Sequence, residues 1–532
     1  MNLPASLGMA IAFSTLIAST SFAQVDPGVR GGLQNTGGGL QAQGKKIPHP
    51  PLISPNPVTG ATVNDNEKVS FFEGINRAGQ LESTCDQCAM VTDGSPAVTN
   101  PINGLNEADP IFPQFTTNSN GLGARHNADQ CFACHAQPQL GGAGGFLVPN
   151  PVDVARNGPA AAKPPENPQF NLIPHRFGKQ NIVPSFQQQF GPIREVRFLF
   201  QVDANGNFLH DINGQLIPDG GVHQLWVVTG IQNDPTIPGC ALVQPDFQKQ
   251  VAQNNVAFRI PLSMSGLGLI DSIQDREILA HQDATKDQRA ELGIAGHPNR
   301  SGNDGTITRF GWKAQNKSIT MFAGEAYNVE MGITNELFPQ AKEEDPNCNG
   351  PEKPEPNDVT RTAKNDSFNQ AFDNPLHILA DWMQFQILMR FTDAPQPDPN
   401  PSASAVRGGQ LFGSIGCAFC HTPTMQTAPT LLSPVLQNRP VNLFSDLLVH
   451  DMGQGLADGV TQGLAGGREF RTTPLWGVGQ RIFFLHDGRT NDIVQAVNLH
   501  DSLGSEAHNV IKAFAKLPVS DRQAIIDFLR SL

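Results

Sequence analysis

The chain has 532 residues, of which 39% are hydrophobic and 16% are charged. This length allows two or three domains with large cores, and the composition excludes a collagen, a coiled coil and wholesale disorder. The 52 glycines and 43 prolines point to long, turn-rich connections. The formal net charge is −13, and without a dense basic stretch the chain is not expected to bind nucleic acid.

The N-terminus carries the longest apolar run, residues 4–23, which ends in Ser21-Phe22-Ala23. This small-x-small ending is typical of a signal peptide cleaved after residue 23. Because no lysine or arginine precedes the run, a retained N-terminal anchor is the alternative. We expect a periplasmic or otherwise exported protein, with no stable membrane insertion after cleavage and an oxidising surrounding.

Two identical motifs carry the strongest chemical signal. They are C-x-x-C-H sequences, each the attachment signature of a c-type haem: Cys131, Cys134 and His135, then Cys417, Cys420 and His421. Two thiols form thioethers to the porphyrin, and the adjoining histidine reaches the iron. Structural zinc would need four clustered ligands, and thioredoxin-like chemistry does not require the histidine. We therefore expect two covalently bound haems.

Four further cysteines lack a following histidine. They are Cys85, Cys88, Cys240 and Cys348. In an exported protein these predict disulfides, and their spacing leaves all three pairings open. A redox-active pair at 85–88 is the alternative.

Composition divides the chain into an extended arm and two haem domains. The predicted boundaries are a signal peptide at 1–23, an arm at 24–66, an N-terminal haem domain at 67–340 with a β insertion near 193–230, a linker or surface excursion at 341–375, and a C-terminal haem domain at 376–532. Turn signals such as Asn205-Gly206 and Asn213-Gly214 predict hairpins in the insertion.

The sequence predicts that the C-terminal haem domain is helical. Apolar residues at helical spacing predict a leading helix over 376–391, a helix over 404–412 that enters the second motif, and a closing helix with a capping box at Ser520 and Gln523. The cytochrome c core of this domain then spans about 404–532. The predicted fold class is mainly α, with two cytochrome-c-like haem domains, long loops and a small β-hairpin insertion.

Several segments resemble a known family. Residues 474–489, with Phe484-Leu485-His486-Asp487-Gly488, resemble the "P-x-L-R-N…F-H-D-G" segment of bacterial di-haem cytochrome c peroxidases. The stretch 444–453 resembles another part of those enzymes. The sequences at 310–314 and 330–334 are most similar to the branch of peroxidase-like di-haem oxidoreductases. Its relatives include the maturase of methylamine dehydrogenase and the di-haem rubber oxygenase.

The resemblance implies roles for two residues between the motifs. Glu330, in the triplet Glu330-Met331-Gly332, matches the acid that moves a proton during cleavage of peroxide. Trp312 matches a tryptophan that carries electrons between the haems. The ordinary alternatives are an exposed glutamate and a core tryptophan.

A third implication concerns the sixth ligand of the second haem. His500 stands fourteen residues after His486, where the peroxidases usually have methionine. We therefore expect His421 and His500 to hold the second iron, which would lower its potential relative to a methionine ligand. Met452 is the competing ligand, and Met425 is a more remote one.

The sequence also departs from the family. Thr320 stands where the family has a glutamine, and residues 136–174 contain no histidine, whereas the short peroxidases have a capping histidine soon after the first motif. An open distal face on the first haem is therefore predicted, with His126 and His175 as the remaining distal candidates.

We expect an enzyme of the cytochrome c peroxidase type. It would reduce hydrogen peroxide or another small oxidant at the first haem, with electrons from a small redox protein relayed by the second haem. The alternatives are an oxygenase or oxidase of an organic or protein substrate, and a non-enzymatic di-haem electron carrier. The family also allows Ca²⁺ between the domains, although no compact acidic loop demands it.

Overall fold

The structure is a computed structural model. It describes residues 24–26, 125–128, 134–137, 142–144, 167, 169–170, 181–227, 243–332, 337–338, 389–390, 394–395, 397–429 and 436–532. The predicted signal peptide, most of the arm, the linker at 341–375 and residues 376–388 of the leading helix lie outside these ranges.

Helices contain more of the described residues than strands do, as the sequence predicts. The helices are α1 (Phe247–Ala252), α2 (Leu267–Asp271), α3 (Asp275–Ala284), α4 (Lys286–Leu292), α5 (Ile319–Met331), α6 (Ala403–Ser414), α7 (Ile493–Leu499), α8 (His508–Lys516) and α9 (Val519–Ser531). Short 3-10 helices follow Gly416, Gly453 and Gly477, at Cys417–Phe419, Gln454–Leu456 and Val478–Gln480.

The strands are short and form antiparallel pairs. They are β1 (Arg125–His126), β2 (His135–Gln137), β3 (Ala143–Gly144), β4 (Glu195–Phe198), β5 (Trp226–Val227), β6 (Val256–Arg259), β7 (Met425–Gln426), β8 (Pro440–Val441), β9 (Val449–Asp451) and β10 (Glu469–Arg471). The pairs are β1 with β5, β2 with β3, β4 with β6, β7 with β8, and β9 with β10.

A hairpin ladder extends from β4. Bridges join Phe200 to Pro218, Val202 to Phe208 and His210 to Leu216. The side chain of Asp203 accepts hydrogen bonds from the backbone of Asn205 and Asn207, which tightens the turn by the usual aspartate mechanism. The ladder is joined to the rest of the protein through β4, whose Glu195 pairs with Arg259 of β6.

Helices α6 and α9 cross closely in front of the second motif. A Cβ atom on Gly408 of α6 would lie 1.8 Å from the carbonyl oxygen of Ala524 in α9, so only glycine permits this approach. Ile525, Ile526 and Leu529 of α9 are buried in the same apolar cluster as Phe412 of α6. The crossing therefore fixes the direction in which the chain enters Cys417.

The predicted capping box of α9 is wrong. The helix begins at Val519 after Pro518, so Ser520 lies inside its first turn and does not cap it. Proline fixes the backbone before the helix without a side-chain cap. The amide of Gln523 instead binds the backbone N–H and carbonyl of Val25, each at 2.8 Å.

One apolar core contains residues from both sides of the predicted linker at 341–375. It contains Trp226 and Phe310 together with Leu443, Leu447 and Trp476. A buried ion cluster joins the same two parts, because Asp458 binds Arg259 at 2.7 Å and Lys313 at 3.0 Å. Among the helices that the structure describes, none is long and apolar enough to cross a membrane.

Candidate functional site

The second C-x-x-C-H motif lies at the wall of a cavity of about 210 Å³. Helix α6 ends at Ser414, Gly416 turns the chain with a φ of +100°, and Cys417 begins a single 3-10 turn. This turn brings Cys417, Cys420 and His421 onto the same cavity. His500, at the C-terminal end of α7, lines it from another side.

His421 and His500 are prepared in the same way for a bond through Nε2. Nδ1 of His421 lies 3.2 Å from the carbonyl oxygen of Phe444, and Nδ1 of His500 lies 2.8 Å from that of Ala496. Such a hydrogen bond fixes the tautomer and orients the ring of a metal-binding histidine. Burial and the neighbouring His500 lower the pKa of His421 to about 4, and burial lowers that of His500. Both rings are therefore neutral at pH 7, as ligands must be.

The two methionine alternatives occupy different places. Met452 lines the same cavity as His500. Met425 is fully buried in the large apolar core, on strand β7. The structure thus brings His500 and Met452 to the second motif.

Two arginines, Arg471 and Arg481, line this cavity. Arg471 is 6% exposed, its Nε donates to the carbonyl of Gly311 at 2.8 Å, and its Nη1 has no hydrogen-bond partner. Burial and the like charge of Arg481 lower the pKa of Arg471 to about 9, and burial lowers that of Arg481 to about 10. Among the described residues, no carboxylate forms an ion pair with either arginine.

This donor set fits a haem. Two thiols suit the vinyl groups, two imidazoles suit the iron, and two buried guanidinium groups suit the pair of propionates, because buried charges need partners. The orphaned Nη1 of Arg471 is the kind of atom that a bound carboxylate would satisfy.

The first motif borders another cavity, of about 150 Å³, which we call the first cavity; the cavity at the second motif is the second cavity. Cys134 and His135 line it, while Cys131 lies outside the described residues. Nδ1 of His135 lies 3.1 Å from the carbonyl oxygen of Gly142, and burial lowers the pKa of His135 although backbone hydrogen bonds to Gly142 and Leu262 oppose this. Two residues on, the amide of Gln137 donates to the carbonyl of Gln480 at 2.5 Å, beside the second motif's cavity.

Glu330 lines the same cavity as His135. Helix α5 begins after Ser318, whose hydroxyl accepts from the backbone of Met321, and ends at Gly332 in the left-handed conformation with a φ of +68°. Glycine is the usual residue at this helix end, so the triplet places Glu330 on the last turn. The Nδ2 of Asn127 donates to its carboxyl at 2.9 Å.

Trp312 lines both cavities. Its indole N–H donates to the carbonyl of Ile260 at 2.8 Å, and its own carbonyl accepts from the backbone N–H of Arg471 at 2.8 Å. These bonds hold the indole between the two motifs. Thr320 lies on the first turn of α5 and is hydrogen-bonded by Nη2 of Arg390 at 3.0 Å.

Sequence reasoning missed two groups of charged residues. Glu195, Arg197 and Glu325 line the first cavity, and Arg471 and Arg481 line the second. Arg481 could have been identified from the sequence, because it is a single charged residue directly before the apolar run 482–485. Glu195 and Arg471 lie on short strands whose pairing brings them to the cavities, and nothing local marks them.

Other predicted sites are less defined by the structure. His126 is buried on β1, opposite Trp226 of β5. Cys85, Cys88, Cys240, Cys348 and His175 lie outside the described residues. Across the described ranges, no group of three or more His, Cys, Asp or Glu side chains is placed to hold a metal ion, and calcium stays a prediction.

Comparison with known proteins supplies the family. Residues 242–532, more than half of the chain, match the family described as "Di-haem oxidoreductase, putative peroxidase". The matched range contains the second motif, Trp312, Glu330 and His500, and it begins after the first motif and Glu195. A search of curated proteins found no match. With two cavities, each bordered by a motif histidine, and this match, the chain belongs to the di-haem oxidoreductase family.

Proposed function

We propose that this protein is an exported di-haem c-type oxidoreductase that reduces hydrogen peroxide at the first motif. Electrons would enter from a small redox protein and reach the first cavity by way of the second. The overall reaction is H₂O₂ + 2 H⁺ + 2 e⁻ → 2 H₂O, in which the donor protein supplies both electrons.

In this proposal the motif residues hold the haems. Thioethers would form at Cys131 and Cys134 in the first site and at Cys417 and Cys420 in the second. His135 would bind the first iron, and His421 and His500 would bind the second. The haems supply the irons that exchange electrons with the donor and with peroxide.

The placement of Trp312 carries the proposal. Among the described residues, Trp312 is the one that borders both cavities at once; its indole N–H is bound to Ile260 and its backbone carbonyl to Arg471. A relay between an electron-accepting site and a peroxide site needs a group in this position. An aromatic ring that is held rigidly serves that purpose without reorganising at each turnover.

The chain's own acid at the first cavity is Glu330. A carboxyl group there can accept a proton from one peroxide oxygen and return it to the other, which makes the departing oxygen a better leaving group. Burial, with the neighbouring Glu195, raises the pKa of Glu330 to about 8. The group is therefore protonated near neutral pH, so it can first give its proton to the departing oxygen and then take one from the other oxygen.

The finer architecture also belongs to this proposal. We infer that residues of about 404–532 form a cytochrome-c-like haem domain. The support is the crossing of α6 and α9 at Gly408 and Ala524, directly before the motif that begins at Cys417.

The first test is EPR of the ferric protein before and after one equivalent of hydrogen peroxide, together with peroxide consumption by the reduced protein. We expect a high-spin signal that disappears with peroxide, and catalytic consumption when a reduced donor is present. Two low-spin signals that do not change when peroxide is added would refute the proposal and favour an electron carrier, provided that the half-reduced protein gives the same result. Oxygen uptake with an organic substrate but no peroxide turnover would favour an oxygenase.

A further inference from the structure

The first cavity contains more acid groups than peroxide chemistry at Glu330 alone would need. Glu195, Glu325 and Glu330 all line it, together with Arg197. Glu330 comes from the last turn of α5, whereas Glu195 comes from β4, outside the range that matches the family. The two carboxyl groups therefore reach one cavity from segments that are far apart in the chain.

The two carboxyl groups are hydrogen-bonded to each other. A hydrogen bond between two carboxyl groups requires a proton on one of them. On the α5 side, the amide of Asn127 has a fixed orientation, since its oxygen accepts from the backbone of Leu225 at 2.9 Å. Its Nδ2 must then point at Glu330, which it binds at 2.9 Å.

On the strand side, a buried guanidinium holds the partner. Nε of Arg197 donates to Oε1 of Glu195 at 2.5 Å, and Nη1 of Arg197 donates to the carbonyl of Gly220 at 2.8 Å. The Arg197 side chain is 8% exposed and that of Glu195 is 19% exposed. Glu195 therefore has a cation as its other partner, whereas Glu330 has the neutral amide of Asn127.

We propose that Glu195 is a second acid–base residue of the peroxide site and shares one proton with Glu330. Glu330 then holds the proton, and Glu195 accepts its hydrogen bond. This use of the pair rests on the proposed function, but the sharing of a proton does not. The pair offers an acid and a base at the same place, as two carboxyl groups with different surroundings do in other enzymes.

In the reaction, the pair would give one proton to the oxygen of peroxide that departs as water and receive one proton from the other oxygen. The pair ends each transfer with the single proton with which it began. The two protons consumed in H₂O₂ + 2 H⁺ + 2 e⁻ → 2 H₂O come from solvent, and the two electrons come from the donor protein. Glu195 shortens the time during which Glu330 is without a proton.

The other charged groups of this cavity are already engaged. The amide of Asn316 donates to Glu325, and burial raises the pKa of that carboxyl. Arg259 also lines the cavity and lies near Glu195 and Arg197, but its guanidinium is bound to Asp458 at 2.7 Å. His135 is neutral because burial lowers its pKa. Among the described residues of the cavity, Glu195 and Arg197 are thus the charged partners of Glu330.

The test uses the ferric holoprotein and three variants: Glu195→Gln, Glu330→Gln and Glu291→Gln, the last at an exposed position on α4. Infrared difference spectra against wild type report the carbonyl stretch of a buried protonated carboxyl. Stopped-flow absorbance reports the pH dependence of cyanide binding, in which hydrogen cyanide must lose its proton to a base near the iron.

We expect the carboxyl band to disappear in Glu330→Gln and to change frequency in Glu195→Gln, where an amide replaces a carboxylate as the hydrogen-bond acceptor. The pH midpoint for cyanide binding should fall by about one unit or more in Glu195→Gln, because a nearby negative charge is removed. Glu291→Gln should match wild type in both measurements.

An unchanged band and midpoint in Glu195→Gln would overturn the inference, even if Glu330→Gln abolishes peroxide turnover and the proposed function stands. Conversely, a wild type without peroxide turnover would refute the proposed function, and the infrared band would still decide whether the proton is shared. If Glu195→Gln does not fold, Glu195→Asp keeps the charge at a greater distance and should shift the band in the same sense.

Discussion

The indole of Trp312 stands edge-on to the imidazole of His486, with ring centroids 6.3 Å apart and planes at 75°. His486 in turn stacks on Phe470 at 4.3 Å, and all three rings border the second cavity. Trp312 is thus the end of an aromatic group that begins beside the second motif and reaches the first. Its position is fixed by contacts on three sides.

We predict that Trp312→Phe slows electron transfer between the two haems. Phenylalanine lacks the N–H that binds Ile260 and is harder to oxidise, so roughly a tenfold loss of rate is expected, equal to a barrier increase of about 1.4 kcal/mol. The measurement is the internal electron transfer rate after rapid partial reduction. Trp226→Phe, at a buried tryptophan on β5, is the matched control. Equal rates in both variants would remove Trp312 from the relay.

Glu330→Gln should lower the rate of peroxide turnover by about 100-fold, the lower range for the loss of a general acid–base group. The amide retains the shape and the hydrogen bond to Asn127 but does not exchange a proton. Absorption spectra of both haems should remain those of wild type, which shows that the site is intact. Turnover within a factor of two of wild type would exclude Glu330 as the acid.

His500→Met should raise the reduction potential of one haem and leave the other nearly unchanged, since a methionine ligand raises the potential of a haem. Potentiometric titration followed by absorbance measures both values. Met452→Leu is the control because Met452 borders the same cavity. If Met452→Leu shifts the potential and His500→Met does not, the ligand assignment is reversed.

Arg471→Met tests whether the buried guanidinium is paired in the haem-loaded protein. If propionates neutralise it, removal leaves an unpaired buried charge and lowers the free energy of unfolding by about 3 kcal/mol. The measurement is denaturant unfolding of the holoprotein. At Arg489, whose partner Asp487 is close to the surface, the same substitution should cost less than about 1 kcal/mol. An increase in stability for Arg471→Met would mean that the cation has no partner.

We predict that the buried Lys313 makes the free energy of unfolding depend on pH in an unusual way. Burial lowers its pKa to about 8 despite the attraction of Asp458, below its ordinary value of 10.5. Between these two values the unfolded chain binds more protons than the folded one, so this group makes stability rise with pH. In Lys313→Met this contribution should vanish. Unfolding free energies at pH 8, 9 and 10 should therefore rise less steeply, or fall more steeply, than in wild type. Parallel curves would contradict the prediction.

What could be predicted from sequence is mostly local. The three residues that would attach the second haem, Cys417, Cys420 and His421, lie within five positions of the chain. This site could therefore be predicted without knowledge of the fold. The helices α6 and α9 follow from their apolar periodicity, and the resemblance places Glu330 and Trp312 at the cavities.

What could not be predicted depends on contacts between distant segments. Glu195 reaches Glu330 only through the pairing of β4 with β6, and Arg471 reaches its cavity through β10. The capping box failed for a different reason. Ser520 and Gln523 have the right spacing, but the cap is Pro518, so the helix starts two residues earlier, and Gln523 binds Val25 instead.

The hydrogen bonds of Gln137 have a consequence for the order of assembly. Its side chain is 1% exposed and joins the strand of the first motif to the backbone of Gln480 and Ile482, while Cys134 is 9% exposed. On the proposed attachment, an enzyme that forms thioethers has to reach Cys134 before the chain folds around it. We therefore expect the first haem to be attached early, and the docking of Gln137 onto residues 480–482 to follow it.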